Sequence, residues 1–195
     1  MATPFTAIYN RFLGKITDDM YIELTPADTV KDLQSLLIDS LVGFEFPRFN
    51  LFDYGVKAEQ ISESLVQPGA FILAVVWGDI PEDSGQVPDV IVEKSYFGSD
   101  LTQEEINIIA ILMMNSWVQR QVTSIENTRM KYSGADFKMT SQASHLSKLL
   151  SLLAEVQRQS LHMQRLYKRR KLNEDGRFES NWSVLRGQGT FDDKI

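Results

Sequence analysis

The side chains used most often in acid–base and metal chemistry are sparse in this chain, and their spacing suits neither task. Its two histidines, His145 and His162, are seventeen residues apart in one predicted helix, a separation of about 25 Å at the helical rise. Histidines so placed in one chain cannot share a metal ion or a proton. Cysteine is absent, which excludes disulfides and thiolate metal sites. We therefore interpret both histidines as solvated or packing residues.

Acidic residues occur in several adjacent pairs, among them 18–19, 82–83, 104–105 and 192–193. Adjacent acids are common in loops and at helix starts, and adjacency does not provide the facing carboxylates that acid–base catalysis needs. The metalloprotease, nucleophile-elbow and phosphate-loop motifs are also missing. The sequence thus predicts a protein that is not an enzyme and that uses no cofactor or metal. An enzyme with a scattered catalytic set stays an open alternative.

The stretch RLYKRRK at 165–171 concentrates positive charge in a chain whose net charge is −6. Its five cations are Arg165, Lys168, Arg169, Arg170 and Lys171. Each cation near a helix C-terminus gains about 0.3–1 kcal/mol from the helix dipole, but repulsion within such a cluster offsets the gain. An anionic partner is the better interpretation, either nucleic acid or an acidic protein surface. Leu166 and Tyr167 favour a partly apolar protein contact.

The charge is unevenly distributed along the chain. Residues 1–135 carry 9 cationic and 19 acidic side chains, whereas residues 136–195 carry 11 and 7. Such segregation indicates different partners for the two parts. The longest apolar run, at 108–114, is too short to span a bilayer, and the N-terminus lacks the features of a signal peptide. We expect a soluble, non-secreted protein.

Helix patterns cover most of the chain, and apolar residues at spacings of three and four predict helices at 3–14, 26–42, 101–131 and 141–171. Thr25 is expected to be an N-cap, and Thr102 with Glu105 forms the sequence pattern of a capping box. The third helix is apolar on nearly every side through Val118, so it should be central. A short linker joins it to the fourth, which predicts a long antiparallel hairpin.

Two shorter features interrupt the helices. The β-branched stretches at 70–77 and 89–97 predict a β-hairpin with a long acidic loop. The stretch FEFPRFNLFDYG at 44–55 is dense in aromatic residues, and its Pro47 prevents a regular helix. We interpret this stretch as an irregular segment anchored on the core, in preference to a surface for docking a partner.

These patterns together predict a mainly α fold. The expected architecture is a helical bundle built on the long hairpin, with a small β-hairpin insertion at about 70–97 and an extended C-terminal tail. The predicted domain is 1–171 and the tail is 172–195. In the tail, Phe178, Trp182 and Leu185 are isolated large residues in a polar segment. We predict that these three residues dock on a partner.

This pattern resembles the head–tail connector proteins of tailed bacteriophages, also called adaptor, head-completion or neck proteins. The likeness rests on the long terminal helix with its basic end YKRRK, on the polar tail, and on three stretches. The stretches are FEFPRFN, LTQEEINIIA and SIENTRMKYSGADFKMTSQASHLSKLL. The resemblance covers most of residues 20–175 and includes no catalytic motif.

The resemblance implies a structural protein of the virion. It would be present in the host cytoplasm during assembly and in the neck, between capsid and tail, in the finished particle. It implies a ring, typically of twelve subunits, that binds the portal protein and the next neck or tail protein. DNA would pass through the ring without sequence-specific contact, and C-terminal tails would insert into the portal. The simplest proteins of this class do not require a β-hairpin. The ring could therefore lie directly under the portal or one ring further toward the tail. The alternative from the residues is a nucleic-acid-binding or regulatory helical protein that uses 165–171 as its contact.

Overall fold

A computed structural model describes residues 2–16, 20–77, 87–131, 140–172 and 178–180. The helices within these residues are α1 (Phe5–Leu13), α2 (Met20–Glu23), α3 (Pro26–Leu41), α4 (Gln103–Lys131) and α5 (Thr140–Arg169). The strands are β1 (Thr3–Pro4), β2 (Tyr54–Gly55), β3 (Ala58–Ser62), β4 (Ile72–Val76), β5 (Asp89–Glu93), β6 (Tyr96–Phe97), β7 (Arg170–Leu172) and β8 (Phe178–Ser180). A short 3-10 helix, Glu63–Leu65, follows β3.

Helix α3 begins where its sequence predicts. The Thr25 Oγ1 accepts a hydrogen bond from the backbone N–H of Asp28 at 3.2 Å, so the N-cap is present. The predicted apolar stripe of this helix is buried throughout. Its members are Val30, Leu33, Leu36, Leu37 and Leu41.

Helix α4 is the central element of the core. Its capping box forms, because the Thr102 N–H donates to Glu105 Oε2 at 2.6 Å while the Glu105 N–H donates to Thr102 Oγ1 at 3.2 Å. Six consecutive residues, 108–113, are buried, as expected for a helix with neighbours on every side. Those neighbours are α1, α3 and α5.

Helices α4 and α5 form the predicted antiparallel hairpin. The start of α4 lies beside the end of α5, where the Tyr167 hydroxyl donates to Glu105 Oε1 at 2.6 Å. Further along, Leu146 of α5 packs with Val118 and Val122 of α4. Helix α5 ends at Arg169, so Arg170 and Lys171 lie in a strand and the prediction of a helix to 171 is wrong there.

The mainly α class predicted from the sequence is wrong, because the chain is mixed α and β with two three-stranded antiparallel sheets. One sheet has the order β1-β6-β2 and joins the first residues of the chain to segments far along it. The other has the order β3-β5-β4. The predicted hairpin at 70–97 is the β4–β5 pair, but β5 is the central strand and β3 pairs along its other side.

The missed strands carry little local signal. Strand β3 reads AEQIS and is mostly exposed, so it lacks the apolar alternation by which a half-buried strand is recognised. Strands β1, β2 and β6 have two residues each, below the length at which periodicity exists. Their backbone groups pair only because helix packing brings distant segments together.

The C-terminal part is described only in short pieces. Strand β7 pairs with β8 in an antiparallel register that aligns Arg170 with Ser180. Phe178 thus belongs to a paired strand. Trp182 and Leu185, together with most of the predicted tail, lie outside the described residues.

Replacing Leu153 by aspartate should lower the free energy of unfolding by roughly 3 kcal/mol. Leu153 packs against the Val118, Val122 and Leu146 cluster between α4 and α5, where a carboxylate would replace apolar contacts. Chemical denaturation measures the loss. The matched control is Leu152→Asp at the adjacent position, 37% exposed, for which we expect less than about 1 kcal/mol. Equal stability of the two variants would contradict the packing of Leu153 between α4 and α5.

Candidate protein interface at the end of α5

The aromatic loop, residues 43–53, joins α3 to β2 and divides its large side chains between core and surface. Phe44 and Leu51 are buried, with 5% and 3% exposure. Phe46, Phe49 and Phe52 are 45%, 41% and 60% exposed. The preferred interpretation of this stretch as an irregular segment anchored on the core holds for Phe44 and Leu51, and it is wrong for Phe46, Phe49 and Phe52.

Gln164 on α5 holds the start of the aromatic loop. Its amide Nε2 donates to the Gly43 carbonyl at 3.1 Å, and its Oε1 accepts from the Glu45 N–H at 2.8 Å. The Phe44 ring meets the Tyr167 ring edge-on, with centroids 5.5 Å apart. A buried side chain that satisfies two backbone groups restricts the loop to one position. The start of the loop is thus packed against α5.

The other end of the loop is also held. The Asp53 carbonyl accepts a hydrogen bond from the Gly98 N–H at 2.8 Å. A Cβ added at Gly98 would lie 2.5 Å from Asp53 Oδ2, so a side chain at position 98 would displace the Asp53 carboxylate. The exposed phenylalanines between these two ends are consequently presented on a fixed backbone.

A buried carboxylate connects the loop to both long helices. Glu105, 1% exposed, accepts hydrogen bonds from the Tyr167 hydroxyl at 2.6 Å and from Arg48 Nη2 at 3.2 Å. Its capping bond to the Thr102 N–H is part of the same cluster. Arg48 reaches further and donates to the Asp100 carbonyl at 2.9 Å. A carboxylate with a cation and several donors is the arrangement in which a buried charge is tolerated.

The protonation of this cluster follows from its surroundings. Burial first, and then the hydrogen bond to Glu105, raise the pKa of the Tyr167 phenol well above its usual value. The phenol therefore stays protonated at neutral pH and acts as a donor. Its function at this position is structural, since its hydroxyl is occupied by Glu105.

Basic and aromatic side chains meet on the outer side of this junction. The Lys168 ammonium lies 3.9 Å from the centroid of the Phe46 ring, and the Arg48 guanidinium lies 4.4 Å from that of Phe49. Both are cation–π contacts. Arg165 and Arg169 are exposed beside Lys168 at the end of α5. We call this combination of the exposed loop phenylalanines and the α5 cations the helix-end surface.

Three of the eight residues predicted for a partner interface have described side chains, and all three belong to the helix-end surface. They are Arg165, Lys168 and Arg169. Arg170, Lys171 and Phe178 are described only as backbone in β7 and β8, and Trp182 and Leu185 lie outside the described residues. Sequence reasoning did not select Phe46, Phe49 and Phe52 for the interface. The sequence feature that could have indicated them is the concentration of phenylalanines around Pro47.

No arrangement suited to catalysis stands out in the described residues. His145 and His162 are both exposed on α5, and no group of three or more acidic or histidine side chains in this part of the chain could hold a metal ion. A groove of about 780 Å³ between α3 and α4 is lined by Asp39 and Arg120 among others. Arg120 is held by both carboxylate oxygens of Asp32, at 2.8 and 3.2 Å. None of the described helices is long and apolar enough to cross a membrane.

Comparison with models of known protein families, with curated proteins and with solved structures finds no match to this chain.

Proposed function

We propose that this protein is a structural assembly subunit of a tailed bacteriophage, a head–tail connector that forms a ring in the virion neck between portal and tail. The helix-end surface is the observation that carries the proposal. It presents the kinds of residue that dominate protein interfaces, exposed aromatic rings beside arginine, on a backbone already fixed by Gln164 and Glu105. A rigid surface loses little conformational entropy on binding.

The partner of this surface is an acidic and partly apolar protein surface, and the portal is our assignment. Exposed phenylalanines gain from burial in a protein pocket, whereas duplex DNA in a channel offers them only phosphates and groove edges. Lys168 and Arg48 already lie over the rings of Phe46 and Phe49. A partner that buries these rings would therefore also contact the two cations. A channel through which DNA must slide gains nothing from tight contacts repeated around a ring.

Single-stranded nucleic acid is the second candidate ligand, because aromatic rings beside cations also suit base stacking. This would make the protein a nucleic-acid-binding helical protein. Its signature would be a salt slope set by phosphate contacts, about −0.7 per phosphate for single strands. A shift of purified protein on size-exclusion chromatography with added single-stranded DNA, abolished by salt, would favour this candidate over the connector.

Replacing Phe46 and Phe52 together by serine should weaken binding to purified portal protein by at least 30-fold. Truncation of a central aromatic anchor typically costs about 2 kcal/mol or more, which corresponds to a roughly 30-fold loss even if only one of the two rings is central. Both rings are substantially exposed in the free chain, so the fold should be retained. Calorimetry measures the affinity. Leu150→Ser, at a position equally exposed but several turns away on α5, is the matched control and should change the affinity less than twofold. Equal affinity of all three proteins would reject the proposed surface.

A further inference from the structure

The sheet β3-β5-β4 has two outer edges that carry no strand partner within the described residues. Strand β5 is central and pairs with β3 on one side and β4 on the other. Helix α3 packs against β4, and no backbone hydrogen bond among the described residues satisfies the outer edge of β4. Free edges of this kind pair with other strands unless the chain protects them.

The β4 edge has a register shift between Ile72 and Ala74 but little other protection. Residues 70–77 read AFILAVVW and contain no charge and no proline, although edge strands are normally blunted by such residues. Val75 and Trp77 are 49% and 57% exposed. An uncharged strand with exposed large side chains is suited to addition of a further strand.

The β3 edge matches it in length, although β3 itself carries the polar residues Glu59 and Gln60. Both strands have five residues, and Asp89 of β5 is aligned with Ser62 of β3 and with Val76 of β4. The two outer strands therefore end at the same level of the sheet. Exposed apolar residues flank β3 on both sides, Val56 at 54% and Leu65 at 70%.

We propose that β4 of one copy pairs with β3 of the next copy, so that the sheets join edge to edge around a ring. This pairing uses two different edges, which makes it a head-to-tail contact able to close by rotation and to leave no edge free. The inference rests on the ring of the proposed function but concerns a different surface. Val75 and Trp77 of one copy then cover the β3 edge of its neighbour.

The direction of the pairing follows from the topology. Strands β3 and β4 are both antiparallel to β5 and hence parallel to each other. If the ring axis runs along the strands, rotation from one copy to the next leaves the strand direction unchanged. Strand β4 and the neighbour's β3 then pair in parallel, with their C-terminal ends side by side. Val76 of one copy then lies beside Ser62 of the next, because both are aligned with Asp89 at the end of the sheet. Pairing of β4 with a second β4 would instead be antiparallel and would stop at a dimer.

The chain contains no cysteine, so a Ser62→Cys/Val76→Cys variant reports this contact directly. Within one copy both positions are aligned with Asp89 from opposite sides of β5, about 9–10 Å apart at the spacing of strands, beyond the roughly 7 Å limit for a disulfide. Mild oxidation of the full-length protein should give a ladder of covalent multimers in denaturing gels, ending at the closed ring. Each single-cysteine variant should give no ladder. Absence of the ladder in the double variant, or dimer from Val76→Cys alone, would overturn the proposal.

A charge placed on the β4 edge provides the complementary test. Adding Val75→Lys to the cysteine pair should reduce the multimer yield at least tenfold, because the ammonium would have to be desolvated at the join. Leu161→Lys, at a site with similar exposure on α5, should leave the yield unchanged. Portal binding by the same proteins separates the two proposals. Loss of the ladder with portal binding retained rejects only the edge pairing, and a ladder without portal binding rejects only the proposed function.

Discussion

Under the proposed connector function, phage particles that carry alanine in place of the four cations at 168–171 are expected to contain DNA-filled heads that lack this ring and lose their DNA. The described part of this stretch lies beside the loop phenylalanines, with Lys168 over Phe46, and α5 ends at Arg169. Removing the charges removes the electrostatic complementarity to an acidic partner and the cation–π contact at once. Electron microscopy of the particles and their protein content measure ring incorporation, which we expect to fall more than tenfold.

The control for this experiment is alanine at Lys148 and Arg158. Both are exposed cations on α5 away from its C-terminal end, and Arg158 pairs only with Glu155 one turn earlier. Exposed pairs of this kind contribute little, so ring incorporation should be normal. If the alanine variant at 168–171 assembles a normal neck and differs only in DNA ejection, the cations contact DNA and the portal assignment is wrong.

The second large effect is expected at Glu105, where alanine should lower the free energy of unfolding by about 3–5 kcal/mol. Without this carboxylate, the Tyr167 hydroxyl and the Thr102 N–H lose their acceptor, and Arg48 becomes a partly buried cation without its counter-ion. Each unpaired buried group has a desolvation cost. Denaturant unfolding monitored by circular dichroism measures the difference.

Two further variants separate the parts of this cluster. Glu105→Gln keeps a carbonyl acceptor and the side-chain volume but removes the charge that faces Arg48, so its destabilisation should be intermediate. Tyr167→Phe removes only one donor and should cost about 1 kcal/mol. If Glu105→Ala were no more destabilising than Tyr167→Phe, Glu105 would be acting as a helix cap alone and the junction with the aromatic loop would not depend on it.

Both predictions concern contacts that no stretch of sequence contains by itself. The capping box of Thr102 and Glu105 is readable because its partners are three residues apart. That the same Glu105 also joins Arg48 and Tyr167, 57 and 62 residues away, is not readable. The same holds for the helix-end surface, where Lys168 meets Phe46 across most of the chain.

The strands show the same division. The pair β4–β5 was predictable from its β-branched residues. The pairing of β3 with β5 was not, since an exposed strand such as AEQIS has no periodic burial to detect. Its omission made the predicted fold class too helical. An edge strand is defined by the backbone it lies beside, and that neighbour is chosen by the packing of the whole chain.

The sequence by itself determined the features in which cause and effect lie within a few residues. The Thr25 cap, the buried stripe of α3 and the central position of α4 all arise from helix periodicity and capping chemistry. Tertiary structure alone decided which phenylalanines of the aromatic loop are exposed, which cations meet them and where Arg48 finds its counter-ion. The physical reason is range: caps and stripes act over one or two helical turns, whereas burial and charge pairing depend on which distant segments the core brings into contact.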